Sequence, residues 1–106
     1  MLSSVEKVGE ATVVAIPGTR LDASIADAFK DSVRELIGTG HRQVVVDFTD
    51  IEFMDSSGLG ALVGAMKLMG NGGTVEIANP NEAVMKVLRL TRMNKVFKIH
   101  DAPPAG

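Results

Sequence analysis

Two adjacent hydroxyls mark the stretch IEFMDSSGLGALVGAMK, residues 51–67. Ser56 and Ser57 follow the carboxylate of Asp55 and open an apolar run in which Lys67 is the only charge before Gly70. A serine so placed can attack as a nucleophile, cap a helix, or carry a phosphate. A nucleophile needs an oriented base, and the chain has two histidines, His41 and His100. His41 precedes the strand-like residues 43–48, which sets it at the opposite end of the sheet from the serines; His100 follows the last strand, and position alone does not remove it. The G-x-S-x-G pattern of a strained nucleophile turn is absent. Asp47, Asp50, Glu52 and Asp55 cluster in the same segment, but no histidine joins them and Asp47 falls in the strand, so no metal site is assigned. The phosphate cradle G-x-x-x-x-G-K-[ST] is missing, and Gly58-Leu59-Gly60 is too short for a dinucleotide fingerprint. The reading is a protein without catalysis of its own.

Capping and phosphorylation remain. Asp55 or Ser56 can cap the helix that follows. The start of that helix presents unpaired amide groups and a partial positive charge, which would favour a phosphate on either serine. The helix is expected from residue 57 to about 70. Leu59, Leu62, Val63 and Met66 form one stripe and are expected to face the core. Gly60, Ala61, Gly64, Ala65 and Leu68 lie on the other side. A helix that is apolar or small all round is normally buried all round. Each interior glycine also costs about 1 kcal/mol relative to alanine. A neighbouring helix or a partner protein is therefore expected against the small face, with Gly58 and Gly60 allowing close packing.

The rest of the chain supplies the frame. Residues 5–8 read as a short edge strand, with a turn at Gly9-Glu10. Residues 12–16 are β-branched and apolar, a buried strand ended by Pro17-Gly18. Residues 22–24 offer capping side chains. Ile25, Ala28, Phe29, Ser32, Val33 and Leu36 then mark an amphipathic helix ending at Gly38 or Gly40. Val44, Val45 and Val46 in succession indicate a strand buried on both faces. Gly72-Gly73 leads into a strand at residues 74–78. Asn79-Pro80-Asn81 is a turn and cap, followed by a helix marked by Val84, Val87, Leu88 and Thr91. Residues 95–99 read as a last strand. This alternation predicts one α/β domain over residues 1–100, a mostly parallel four- to five-stranded sheet with an antiparallel edge strand, packed with helices. Residues 101–106 are expected to be a disordered tail. Periodicity does not decide how the helices divide between the two faces.

Composition narrows the function. The 106 residues are 45% hydrophobic and 23% charged, with a net charge of −2, the range of one ordinary globular domain. No basic run exceeds two residues, which argues against nucleic acid and anionic membranes. Four Phe with no Trp or Tyr give no base-stacking platform. With no cysteine, disulfides and thiolate metal sites are excluded, which fits a cytoplasmic protein. The N-terminus shows no signal peptide, and residues 56–66 reach only about half of a ~20-residue membrane span. No cofactor is indicated.

The segment VVVDFTDIEFMDSSGLGALVGAMK resembles the signature of STAS domains, in particular the bacterial anti-sigma factor antagonists. IPGTRLDASIADAFKDSV resembles that family's early strand-to-helix segment and LTRMNKVFKIHD its closing helix and strand, so the resemblance spans nearly the whole chain. It implies a partner-switching mechanism. The unmodified protein binds an anti-sigma factor that is also a serine kinase, and the sigma factor is freed. The kinase then phosphorylates a serine in this loop, the antagonist is released, and a serine phosphatase resets it. By position the modified residue corresponds to Ser56. Asp22, Asp55, Ser57, Gly58, Leu59, Gly60 and Gly64 are the partner-binding positions expected from the same resemblance. Three features depart from the family pattern. Ser24 stands near a frequent threonine, the segment 19–21 carries Arg20 as a candidate partner contact, and few residues follow His100 where a further helix is common. Other functions on this fold are a subunit docking on a lipid-transport ATPase, a stressosome-type scaffold, and a nucleotide or anion sensor at the helix N-terminus. A homodimer through the small-residue helix face is a further candidate arrangement.

Overall fold

A computed structural model describes residues 1–105; Gly106, the last residue of the expected tail, lies outside them. Along the chain run β1 (Ser4–Val8), β2 (Ala11–Ala15), β3 (Arg20–Leu21), α1 (Ala26–Gly38), β4 (Gln43–Asp47), β5 (Phe53–Met54), α2 (Ser56–Met69), β6 (Thr74–Ala78), α3 (Glu82–Leu90) and β7 (Ile99–His100). Short 3-10 turns at Gly70–Gly72 and Met93–Lys95 follow α2 and α3. The main sheet has the order β1-β2-β4-β6-β7. β1 pairs with β2 antiparallel, and every other pair in it is parallel, as the alternation of elements predicts. Among the described residues no helix is long and apolar enough to cross a membrane.

The three consecutive valines are fully buried, each worth about 1.5–3 kcal/mol relative to an exposed position. Side chains alternate across a strand, so the three divide between two cores. Val44 and Val46 join the cluster that holds Phe29 and Val33 of α1, Leu62 and Ala65 of α2, and Val84 and Leu88 of α3. Val45 points the other way, into a small cluster with Ala11, Val13 and Ala78. All three helices thus cover one face, the point that periodicity leaves open.

On the face away from the helices, Glu76 lies opposite Val45 in the parallel register and is only 4% exposed. Its carboxylate accepts bonds from Thr74 Oγ1 (2.6 Å) and Gln43 Nε2 (3.2 Å) and is paired with His100 Nε2 (2.7 Å). Burial alone would raise its pKa. The bonds from Thr74, His100 and Gln43 outweigh that and hold it below the ordinary value.

Three local expectations change. α1 has no side-chain cap at Ile25. Instead Asp22 forms a turn: its Oδ1 accepts the Ser24 N–H and hydroxyl, and its carbonyl accepts the N–H groups of Ile25 and Ala26. The segment 95–99 is strand only at its end. Phe97 is buried and its N–H bonds to the Met93 carbonyl, so the chain winds to deliver the ring to the core rather than extending. In α2 the core face is Gly58, Ala61, Leu62, Ala65 and Met69, while Leu59, Val63 and Met66 are half-buried at its margin. The larger side chains are displaced because the alanines let α2 lie close to the elements beneath and beside it, α1 included. Small residues going inward are ordinary where backbones approach closely.

Candidate functional site

The site is built where two loops are joined. The β2–α1 and β4–α2 connections run side by side, and the pairing of β3 with β5 in a two-stranded parallel ladder locks them. Glu52 N–H donates to Thr19 O at 2.7 Å, and Asp55 N–H to Leu21 O at 3.3 Å. The Arg20 guanidinium lies 4.3 Å from the centre of the Phe53 ring, a cation–π contact, and its Nε reaches Asp22 at 3.1 Å. A third element is tied in by Asn81, which caps α3 through Oδ1 to the Val84 N–H and donates through Nδ2 to Glu52 O at 3.2 Å. Two-residue strands are too short for alternation to show, so neither β3 nor β5 is visible in the sequence. The one available signal is an aromatic, Phe53, in a loop between the acidic residues Glu52 and, two positions on, Asp55.

From this clamp α2 begins. Asp55 is its N-cap, with the carboxylate accepting the Gly58 N–H at 3.0 Å. Capping therefore falls to Asp55, and Ser56 and Ser57 occupy the first helical positions, both exposed. Among the described residues neither serine hydroxyl has a hydrogen-bond partner. Gly58 faces inward. A Cβ there would lie 2.1 Å from the Leu21 carbonyl oxygen, so only glycine lets the first turn rest on β3. Gly60 is different: nothing lies within 4 Å of a Cβ at that position, and its face is open. Gly64 is covered by α1, where a Cβ would meet Lys30 Cε at 2.8 Å.

The two serines open onto different flanks. Ser57 and Gly60 line a cavity of about 340 Å³ with Ala23, Asp27 and Lys30 of the α1 side. Ser56, Leu59, Val63 and Lys67 line a groove of about 530 Å³ with Thr91 and Met93. Lys30 and Gly60 border both. Asp22 sits beyond the α1 flank in the turn described above. The Ser24 hydroxyl first, and then Arg20, hold its carboxyl below the ordinary pKa, so it stays charged. Asp55, Ser56, Ser57, Leu59 and Gly60 thus share the outer end of α2, Gly58 supports them from beneath, and Gly64 lies two turns further along, under Lys30. His41 bonds Thr12 at 2.6 Å and His100 is held by Glu76, so both rings are engaged away from the serines.

The STAS-domain model matches residues 3–103. The chain belongs to the STAS-domain family. A Thermotoga maritima protein provisionally named an anti-sigma factor antagonist is 32% identical over 97 residues, covering 90% of this chain and 86% of the relative. The crystal structure of a T. maritima protein of the same provisional name superposes with a TM-score of 0.86 at 29% identity, over 93% of this STAS domain and 86% of that chain. The anti-sigma factor antagonist SpoIIAA matches in its unphosphorylated form with a TM-score of 0.71 at 24% identity, over 94% and 88% of the two chains. The Bacillus SpoIIAA in its phosphorylated form matches with a TM-score of 0.69 at 23% identity, over 91% and 88%. These last two likenesses bear on the fold. The names of these relatives are those of regulatory proteins rather than enzymes.

Proposed function

We propose that this STAS domain is an anti-sigma factor antagonist whose binding to a kinase-type anti-sigma factor is switched off by phosphorylation of Ser56. The observation that carries the reading is the state of that hydroxyl: exposed, unbonded, and on the first turn of a helix already capped by Asp55. In the reaction the Ser56 oxygen takes the γ-phosphoryl group of ATP, ADP leaves, and the hydroxyl proton passes to a base of the kinase. The product carries about −1.5 to −2 charges. Among the described residues no hydrogen bond of the fold uses this hydroxyl, so the domain is expected to keep its structure while its surface changes. The helix N-terminus attracts the phosphate, but Asp55 already occupies that end and repels it. The net change is felt mainly by whatever packs on the open face at Gly60. A phosphatase then restores the binding form, and the domain works in the bacterial cytoplasm with its sigma pathway.

The antagonist names of the relatives support this reading over a lipid-transport subunit, a stressosome-type scaffold or a nucleotide sensor. SpoIIAA, known in both phosphorylation states, lends it a parallel. The test is direct. The purified domain is mixed with each kinase-type anti-sigma factor encoded in the same genome, with ATP. Mass spectrometry is expected to find one phosphate, on the peptide containing Ser56. Ser56→Ala is expected to bind without release and Ser56→Asp to bind weakly. Full modification of the Ser56→Ala variant would move the assignment elsewhere.

A further inference from the structure

We propose that the groove between α2 and the Met93–Lys95 turn receives an amphipathic helix of the partner whose polar edge is acidic, with Lys30 and Lys67 as its charge contacts. The inference rests on the antagonist reading and names the chemistry of the contact. Leu59, Val63 and Met93 form the apolar wall of the groove, Ser56 stands at one end and Lys67 at the other. Ser56 and Lys67 are separated by about three helical turns, or about 16 Å at 1.5 Å per residue. That span suits a helix presenting apolar anchors at i, i+3 or i+4, and i+7.

The charge of the groove selects the edge of that helix. Lys30 reaches in from α1 and lays the outer part of its side chain, Cδ, Cε and the ammonium together, over Gly64, which sets its charge on the wall of the groove. Among the described residues neither Lys30 nor Lys67 belongs to an ion pair. Among the described residues no carboxylate lines the groove, although the chain as a whole has a net charge of −2. Asp27 lines the other cavity, beside Ser57, and shares it with Lys30 without forming an ion pair. Two cations outside any ion pair along an apolar wall are complementary to carboxylates flanking apolar anchors, and such complementarity sets partner choice and association rate. It also gives the switch its sign. A phosphate on Ser56 enters the same groove and places a dianion against an acidic helix, a repulsive element of the kind that separates states sharply.

The experiment uses the full chain and each purified kinase-type anti-sigma factor of the same genome, without ATP, by titration calorimetry at low and high salt. Lys67→Glu changes an exposed residue and Lys30→Gln keeps the stem; each is expected to weaken binding about tenfold, and to flatten the decline of wild-type affinity with salt. Lys86→Glu, exposed on α3 outside the groove, is expected to match wild type. The proposal is overturned if Lys67→Glu and Lys30→Gln bind like wild type with unchanged salt dependence while Ser56→Asp still binds weakly, in which case the antagonist reading stands without this contact. If the wild-type domain binds none of these proteins, both fall.

Discussion

Glu76 and Ser56 are both polar residues among apolar neighbours, and their surroundings are opposite. Glu76 is 4% exposed and bonded to Thr74, Gln43 and His100, three partners from three strands or their edges. Ser56 stands in solvent near a glycine whose outer face is open, and among the described residues its hydroxyl is unbonded and the lysines of its groove are in no ion pair. A buried polar group without partners is costly, so a domain that keeps one satisfies it, and the satisfied network serves the fold. Where polar groups are exposed, free and gathered beside apolar surface, stability does not require them, and the proposed partner would use them. The two glycines of the first α2 turns divide in the same way, Gly58 pressed on a backbone carbonyl and Gly60 facing open space.

The largest effect tests that division. Gly58→Ala places a methyl against Leu21 O, a backbone atom that cannot swing aside, and is expected to lower unfolding free energy by about 3 kcal/mol in urea titrations. Gly60→Ala gains helix propensity without contact and is expected to stabilise by up to about 1 kcal/mol. Equal signs for the two would erase the distinction between supporting and open positions.

Glu76→Gln comes next. It removes charge-assisted bonds from a buried site and is expected to cost about 1–2 kcal/mol. Because the folded carboxyl titrates below its ordinary value of 4.5, its contribution is complete above that value and is lost as pH falls through the lower folded value. Wild-type stability should therefore decline on acidification below pH 4.5 through a leg that the variant lacks, read from denaturation midpoints across pH. A variant with the same acid leg would show that other carboxylates carry it. Asp55→Ala loses the α2 cap and is expected to cost about 1 kcal/mol, with Asp55→Asn recovering most of it. Ser56→Ala is expected to stay within about 0.5 kcal/mol of wild type; a larger loss would return Ser56 to the structural side of the comparison.

Much of this was legible in the sequence because the relevant signals are local. Val44, Val45 and Val46 announce a two-sided strand, Asn81 announces the cap of α3, and Asp55-Ser56-Ser57 ahead of an uncharged run announces the start of α2. What escaped depends on tertiary contact. Leu59, Val63 and Met66 look like a core stripe by size, yet the closeness of α1 and the sheet draws Ala61 and Ala65 inward instead. Phe97 bends a segment that reads as extended. The β3–β5 clamp has no periodicity, and the closeness of Leu21 to Gly58 joins residues 37 positions apart. The lysine-rimmed groove is equally non-local, since Lys30, Lys67 and Met93 meet only when α1, α2 and the turn after α3 are assembled.

The central claim separates binding from folding at Ser56, and one preparation measures both. The domain is made with phosphoserine incorporated at position 56, and its thermal unfolding and its affinity for the anti-sigma factor proposed as its kinase are compared with those of the unmodified protein. The account predicts an unfolding midpoint shifted by no more than about 2 °C, in line with a surface change, together with a loss of affinity of at least about 100-fold. Undiminished affinity, or a phosphorylated domain that has lost its fold, would contradict it.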